Sequence, residues 1–377
     1  MAIGVVWFSL ADVQNALWAF QINWYLTVAL LVAMTYLLLV PNGHRWLWFG
    51  LAASAAVIAS LSVVQGFTLW IVGLICLMWS HPREKRTYRE CSAWIGIGAA
   101  TTALYSVGFN FSITGCLPGA CGVGPSLHHP VTTIRFFLAL IGNVLPSGYL
   151  TAIFAEPTSF AFQEFIGALV LAAGVFVMVL SIRERHVTIR LPVPLVLITF
   201  ALLFDSMIAV GRAGGAGAEL GALFNNRYVM PNLLLLVGIV SYALAHIPTW
   251  PWAAAEAGSN GRRWRRWFQW AALGLLSVFV VGQAIWATKF GIANGESSRG
   301  LLVGQARTVV NLQRQPPSVR ACQVNAIVFF NAASSKAATN KANRWIDELK
   351  RNQLSIFYPS YQTILRSEGG LPPYGCK

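Results

Sequence analysis

VPLVLITFALLFDSMIAV, Val193–Val210, carries a single charged residue, Asp205, and runs of this kind recur along the chain. A helix crossing ~30 Å of hydrocarbon needs about 20 mostly apolar residues. Such runs fall at Trp24–Val40, Trp46–Val64, Ser92–Asn110, Phe162–Ile182, Val193–Val210, Tyr228–Ile247 and Phe268–Lys289, with a shorter one at Phe67–Trp79. Backbone in hydrocarbon must satisfy its own hydrogen bonds, and segments of this length do so as helices. Composition agrees: 56% of residues are hydrophobic and 11% charged, against about 25% charged in soluble domains. The expected fold is an all-α polytopic membrane protein of about eight transmembrane helices, residues 1–290, with a separate tail, 291–377.

The breaks between runs refine this picture. Gln65-Gly66 separates Trp46–Val64 from Phe67–Trp79, which predicts two short helices meeting near the outer surface. MAIGVVWFSLADVQNALWAFQ, at the start, lacks a basic leader and turns polar after its first ten or so positions, so it reads neither as a signal peptide nor as a clean span.

The net charge is +14, which raises the question of a nucleic-acid partner. The basic residues concentrate instead in HPREKRTYRE (His81–Glu90), RERHVTIR (Arg183–Arg190) and GRRWRRW (Gly261–Trp267). Short basic loops beside apolar spans mark the cytoplasmic side, so nucleic acid is set aside and membrane lipid is the expected surrounding. The loop around Asp12–Gln21, the segment Phe111–Thr132, the hinge Gly211–Arg227 and the tail from Gly291 then fall outside. To keep that alternation, Thr132–Leu150 is expected as an interfacial helix, with Arg135 towards the headgroups.

Cysteine placement bears on the same topology. Cys76 and Cys91 fall in or beside spans, whereas Cys116, Cys121, Cys322 and Cys376 fall outside. An even number in an oxidising compartment suits disulfides. The Pro-Gly turn in CLPGAC favours Cys116 with Cys121, leaving Cys322 with Cys376 to close the tail. His128-His129 lie near Cys121, but no spacing fits a zinc site, and neither a metal nor a cofactor is indicated. The tail is polar, with a strand-like run at Asn325–Phe330 and a helical pattern at Lys341–Phe357. It is expected to form a small external α/β domain, and it carries no phosphate-binding loop, nucleophile elbow or metal motif.

Chemistry therefore falls to polar residues at the outer edge. Ionisable groups inside a span are costly and are functional candidates by default. Asp205 precedes Arg212 by two helical turns and shares its face, so its carboxylate is placed to neutralise or orient that arginine. A buried pair that only fixes packing, or a snorkelling arginine, is the plain structural alternative. Arg227, beside Tyr228, has the same alternative as an interface anchor.

NALWAFQ (Asn15–Gln21) ahead of a span, with Gly211-Arg212 and Arg227-Tyr228 bracketing a Gly/Ala-rich loop, resembles bacterial multi-spanning glycosyltransferases of the GT-C type. These use polyprenyl-phosphate-linked sugars at the outer face of the inner membrane. The resemblance implies a bacterial inner-membrane protein with a periplasmic tail. Arg212, Arg227 and Tyr228 would hold the lipid phosphate, supported by Asp205, Asn15 and Gln21. It also implies a catalytic acid on the first external loop. Asp12 is the foremost candidate for that general base, ahead of Glu156, Glu164 and Glu219. The family's initial helix is not recognisable before Asp12, so the chain reads as missing the N-terminal catalytic part. Two arginines on a flexible hinge suit a phosphate, because the guanidinium fork is bidentate and keeps its charge when desolvated. A lipid-linked sugar transporter or flippase, and a non-catalytic accessory subunit of cell-envelope glycan assembly, remain open alternatives.

Overall fold

A computed structural model describes residues 22–39, 44–80, 85–107, 123–144, 156–183, 192–213 and 229–246, together with 347, 348 and 351. The chain separates into two compact units, Met1–Gly291 and Ile292–Lys377. Every regular element among the described residues is helical. In order they are α1 (Ile22–Leu39), α2 (Arg45–Ser62), a 3-10 turn (Val64–Phe67), α3 (Thr68–Ser80), α4 (Lys85–Ser106), α5 (Val123–His128), α6 (Pro130–Gly142), α7 (Glu156–Arg183), α8 (Val193–Arg212) and α9 (Val229–His246).

Four of these are long and apolar enough to cross a membrane: α1, α2, the Phe160–Arg183 part of α7, and α8. Val64–Trp79, Pro130–Gly142 and Val229–Ala243 are apolar but shorter. Ile22, Val32, Leu47, Leu61, Ile95, Leu104, Phe165 and Phe176 are exposed. Apolar faces of this kind suit hydrocarbon rather than water. The chain is thus a multi-pass helical membrane protein. The expected span at Phe268–Lys289 and the strand-like run Asn325–Phe330 lie outside the described residues. Within the predicted tail helix, Asp347, Glu348 and Arg351 are helical.

The helices assemble in two groups. In the first, α1 packs on α2 and α3, and α4 packs on α2 and α3. In the second, α6 packs on α7 and α8 on α9, while α8 also touches α3, α6 and α7. Trp94 of α4 ties the first group together. It is fully buried, its indole donates to Trp70 O at 2.8 Å, and its ring fills the space that a side chain at Gly73 would need. Trp70 in turn donates to Ser60 Oγ at 3.0 Å. The Gln65-Gly66 break is real. Between α2 and α3 the chain tightens into the 3-10 turn, and Gly66 lies against the Ala59 carbonyl with no room for a Cβ.

One end of this group is closed by charge. Arg45, at the start of α2, grips Glu90 of α4 with both arms of its fork, at 3.2 and 3.0 Å, and donates to Leu38 O at the end of α1 at 2.9 Å. Arg86, one turn before Glu90, adds a 3.1 Å bond. Three helices are joined through one guanidinium, in segments expected on the cytoplasmic side. Burial works against ionisation of Glu90, yet Arg45 and Arg86 outweigh it and hold the carboxyl below its ordinary value.

The segment expected to lie flat in the interface is placed differently. It forms α6, only 13 residues long. Ala139, Leu140, Ile141 and Asn143 at its far end are fully buried, while Val131 and Ile134 near its start are exposed. Glycine explains the depth. At Gly142 a Cβ would collide with Gln163 O, and at Gly167 with Leu138 O. The two backbones therefore cross in direct contact, which only small residues permit. Arg135 is not left to headgroups alone: it donates to Glu164 at 2.7 Å and lies over the Phe160 ring.

Candidate functional site at the Arg212 end of α8

α8 is built to be buried. Leu195, Ile198, Phe200, Ala201, Phe204, Ile208 and Ala209 are all enclosed, covering more than one helical face, as expected of a helix at the centre of a bundle. Asp205 sits among them with no exposed surface. Neither of its carboxylate oxygens has a hydrogen-bond partner among the described residues.

Register locates it. Gly238 of α9 lies over Pro194, Leu197 and Ile198 of α8. Counting equally along the antiparallel pair from that crossing brings the first residue of α9, Val229, about level with Asp205. α8 therefore runs on past the start of α9 for about two turns, roughly 10 Å, and ends at Arg212, which is exposed. Arg212 forms no ion pair among the described residues, and in particular none with Asp205. The shared face is as expected, but two turns of rise separate a buried carboxylate from a guanidinium standing clear of α9.

Other chain segments arrive at this end. Trp24, in the first turn of α1, makes an edge contact with Phe204 at 5.1 Å. Ser126 of α5 donates to Val210 O at 2.7 Å, which pins α5 beside the last turn of α8. α6 terminates in the interior, and Asn232 of α9 donates its amide to Leu140 O at 2.7 Å. Gln163 of α7 donates to Asn143 Oδ1 at 3.2 Å. Asn143, Gln163 and Asn232 are all fully buried. Sequence reasoning passed over these three amides, although a lone Asn or Gln inside an apolar run was a usable signal, since such a side chain must find a partner in hydrocarbon.

The other expected site residues divide clearly. Asp12, Asn15, Gln21, Glu219, Arg227 and Tyr228 lie outside the described residues, although Ile22 and Val229, which follow two of those segments, begin helices at the Asp205 level. Of the alternative bases, Glu164 is engaged by Arg135. Neither Cys76 nor Cys91 is in a disulfide among the described residues, whereas Cys116, Cys121, Cys322 and Cys376 lie outside the described residues. No cluster of three or more metal-ligating side chains occurs among the described residues. Comparison of the chain with family models, with curated proteins and with solved structures finds no match.

Proposed function

We propose that this chain is a GT-C-like glycosyltransferase of the bacterial inner membrane, taking a sugar from a polyprenyl-phosphate donor at the outer face. In this reading eight helices span the bilayer and both the Arg212 hinge and the C-terminal tail are periplasmic. Arg212 is the observation that carries the proposal. It is an exposed cation at the end of a buried helix, free of ion pairs among the described residues, opening a Gly/Ala-rich hinge that ends in Arg227-Tyr228. A guanidinium so placed meets a lipid phosphate at headgroup depth and stabilises it as a leaving group. Asp12 serves as general base for the acceptor hydroxyl.

Binding of polyprenyl phosphate to purified protein tests this. A charge-assisted hydrogen bond contributes about 1.5–3 kcal/mol, so Arg212→Ala weakens binding roughly tenfold or more, and Arg212→Lys less. Well-folded Arg212→Ala protein that binds the lipid normally ends the proposal.

A transporter of the same lipid-linked sugar is the second reading, and α6 favours it. A helix that stops inside the bundle, with its terminal carbonyl capped by Asn232, is the kind of interruption found at transporter substrate sites. Sugar transfer by purified protein, without vesicles, separates the two.

A further inference from the structure

Asp205 poses a physical problem that the phosphate-binding reading leaves unsolved. A carboxylate stripped of water and given neither donor nor counter-charge is among the costliest groups a protein can bury. Such groups in membrane proteins mark ion or proton pathways. The described residues around it offer no remedy. The titratable or charged side chains on the elements around α8 are Tyr25 and Tyr36 of α1, Cys76 of α3, His128 of α5, Arg135, Glu164 and Arg183 of α6 and α7, and Tyr242 of α9, with Glu156 and His246 completing the set by sequence. Arg135 is committed to Glu164. No described side chain donates to Asp205.

Position adds a second argument. Ile198 and Ala201 belong to a cluster with Ile141 of α6, Val177 of α7 and Leu235 of α9. Asp205 follows Ala201 by one turn and Ile198 by two, so it occupies the same face of α8, one to two turns nearer the Arg212 end than the level at which α6 stops. The buried amides at the end of α6 are occupied elsewhere, Asn232 on Leu140 O and Gln163 on Asn143. Among the described residues no positive charge pairs with Asp205.

We propose that Asp205 is the binding site of one small monovalent cation, a proton or Na+, held in the packing around α8. A proton converts one carboxylate oxygen into a donor, and Na+ takes lone pairs from both; either removes the uncompensated charge. Release and uptake would then switch the charge at the level where α9 begins. This does not depend on Arg212 or on any lipid, so the two proposals fail separately.

Thermal unfolding of the full chain in detergent, for wild type and Asp205→Asn, is the test. Asn is neutral and nearly isosteric. In Na+-free choline buffer, wild type should fall below the variant as pH rises from about 6 to about 9, by about 3 °C or more. Lowering the pH should close the gap if the ligand is a proton, and adding Na+ should close it if the ligand is Na+. A gap that responds to neither overturns the proposal. Should Asp205→Asn fail to fold, dicyclohexylcarbodiimide labelling of the wild type decides. That reagent attacks protonated carboxyls in apolar surroundings, so Asp205 should be modified at low pH and protected by high pH or Na+. Peptide mapping that finds Asp205 unmodified throughout overturns it as well.

Discussion

Glu90 and Asp205 are the two buried carboxylates among the described residues, and the bundle treats them in opposite ways. Glu90 receives three charged hydrogen bonds from two arginines. Removing one partner of a buried pair leaves the other uncompensated and costs about 3–5 kcal/mol, so Arg45→Ala should sharply lower unfolding temperature and detergent-extracted yield. The folded value of Glu90 is depressed, so its stabilisation is complete above the unfolded carboxyl value, about 4.3, and is lost as pH falls through the lower folded value. Acid titration of wild type should show that loss, and Glu90→Gln should already be destabilised at neutral pH and lack this component of the acid response. Equal acid profiles for the two proteins would show that the fork contributes nothing. Asp205 stood out in the sequence because a charge inside an apolar run is conspicuous. Glu90 did not, because in HPREKRTYRE it is one charge among many, and its partner Arg45 lies on another helix.

Helices were legible to within a few residues wherever hydropathy alone sets the boundary. Trp24–Val40 corresponds to Ile22–Leu39, and Val193–Val210 to Val193–Arg212. α4 begins earlier than its apolar run, at Lys85 rather than Ser92, because Arg86 and Glu90 pair one turn apart and support a polar first stretch that hydropathy does not register. α6 went the other way. Its composition suited a surface helix with an exposed arginine, but two glycines far apart in sequence let it sink against α7. A methyl group at either glycine meets backbone rather than a yielding side chain. Gly142→Ala and Gly167→Ala should therefore each force the helices apart, costing about 1–3 kcal/mol or more, read as lowered unfolding temperature. Gly50→Ala on α2, where nothing lies within 4 Å of the added carbon, is the control and should be neutral or slightly stabilising. If all three behave alike, the close crossing is not holding α6 in place.

At the scale of the whole molecule, alternation of sides ties the helices to the basic blocks. The end of α1, the start of α2 and the start of α4 meet around Glu90, as the arrangement of basic loops requires if residues 40–45 and 81–90 share one side. The beginning of α1 meets α8 two turns before Arg212, which places the hinge with the opposite side. Charge counting can orient this arrangement only because Lys and Arg are retained in cytoplasmic loops; the helices would pack identically if the whole were inverted. A labelling experiment decides the direction. Single cysteines at Ser259, beside GRRWRRW, and at Ser334, in the tail, are introduced into a background without native thiols and treated with an impermeant maleimide. Ser334→Cys should react in intact cells, with the outer membrane permeabilised, and Ser259→Cys only after lysis. The reverse pattern would put the Arg212 end in the cytoplasm, where polyprenyl-phosphate sugars of an outer-face enzyme are out of reach and the four cysteines expected to pair would stay reduced. Equal labelling of both positions would remove the odd number of crossings between them, and with it the external placement on which the phosphate-binding proposal stands.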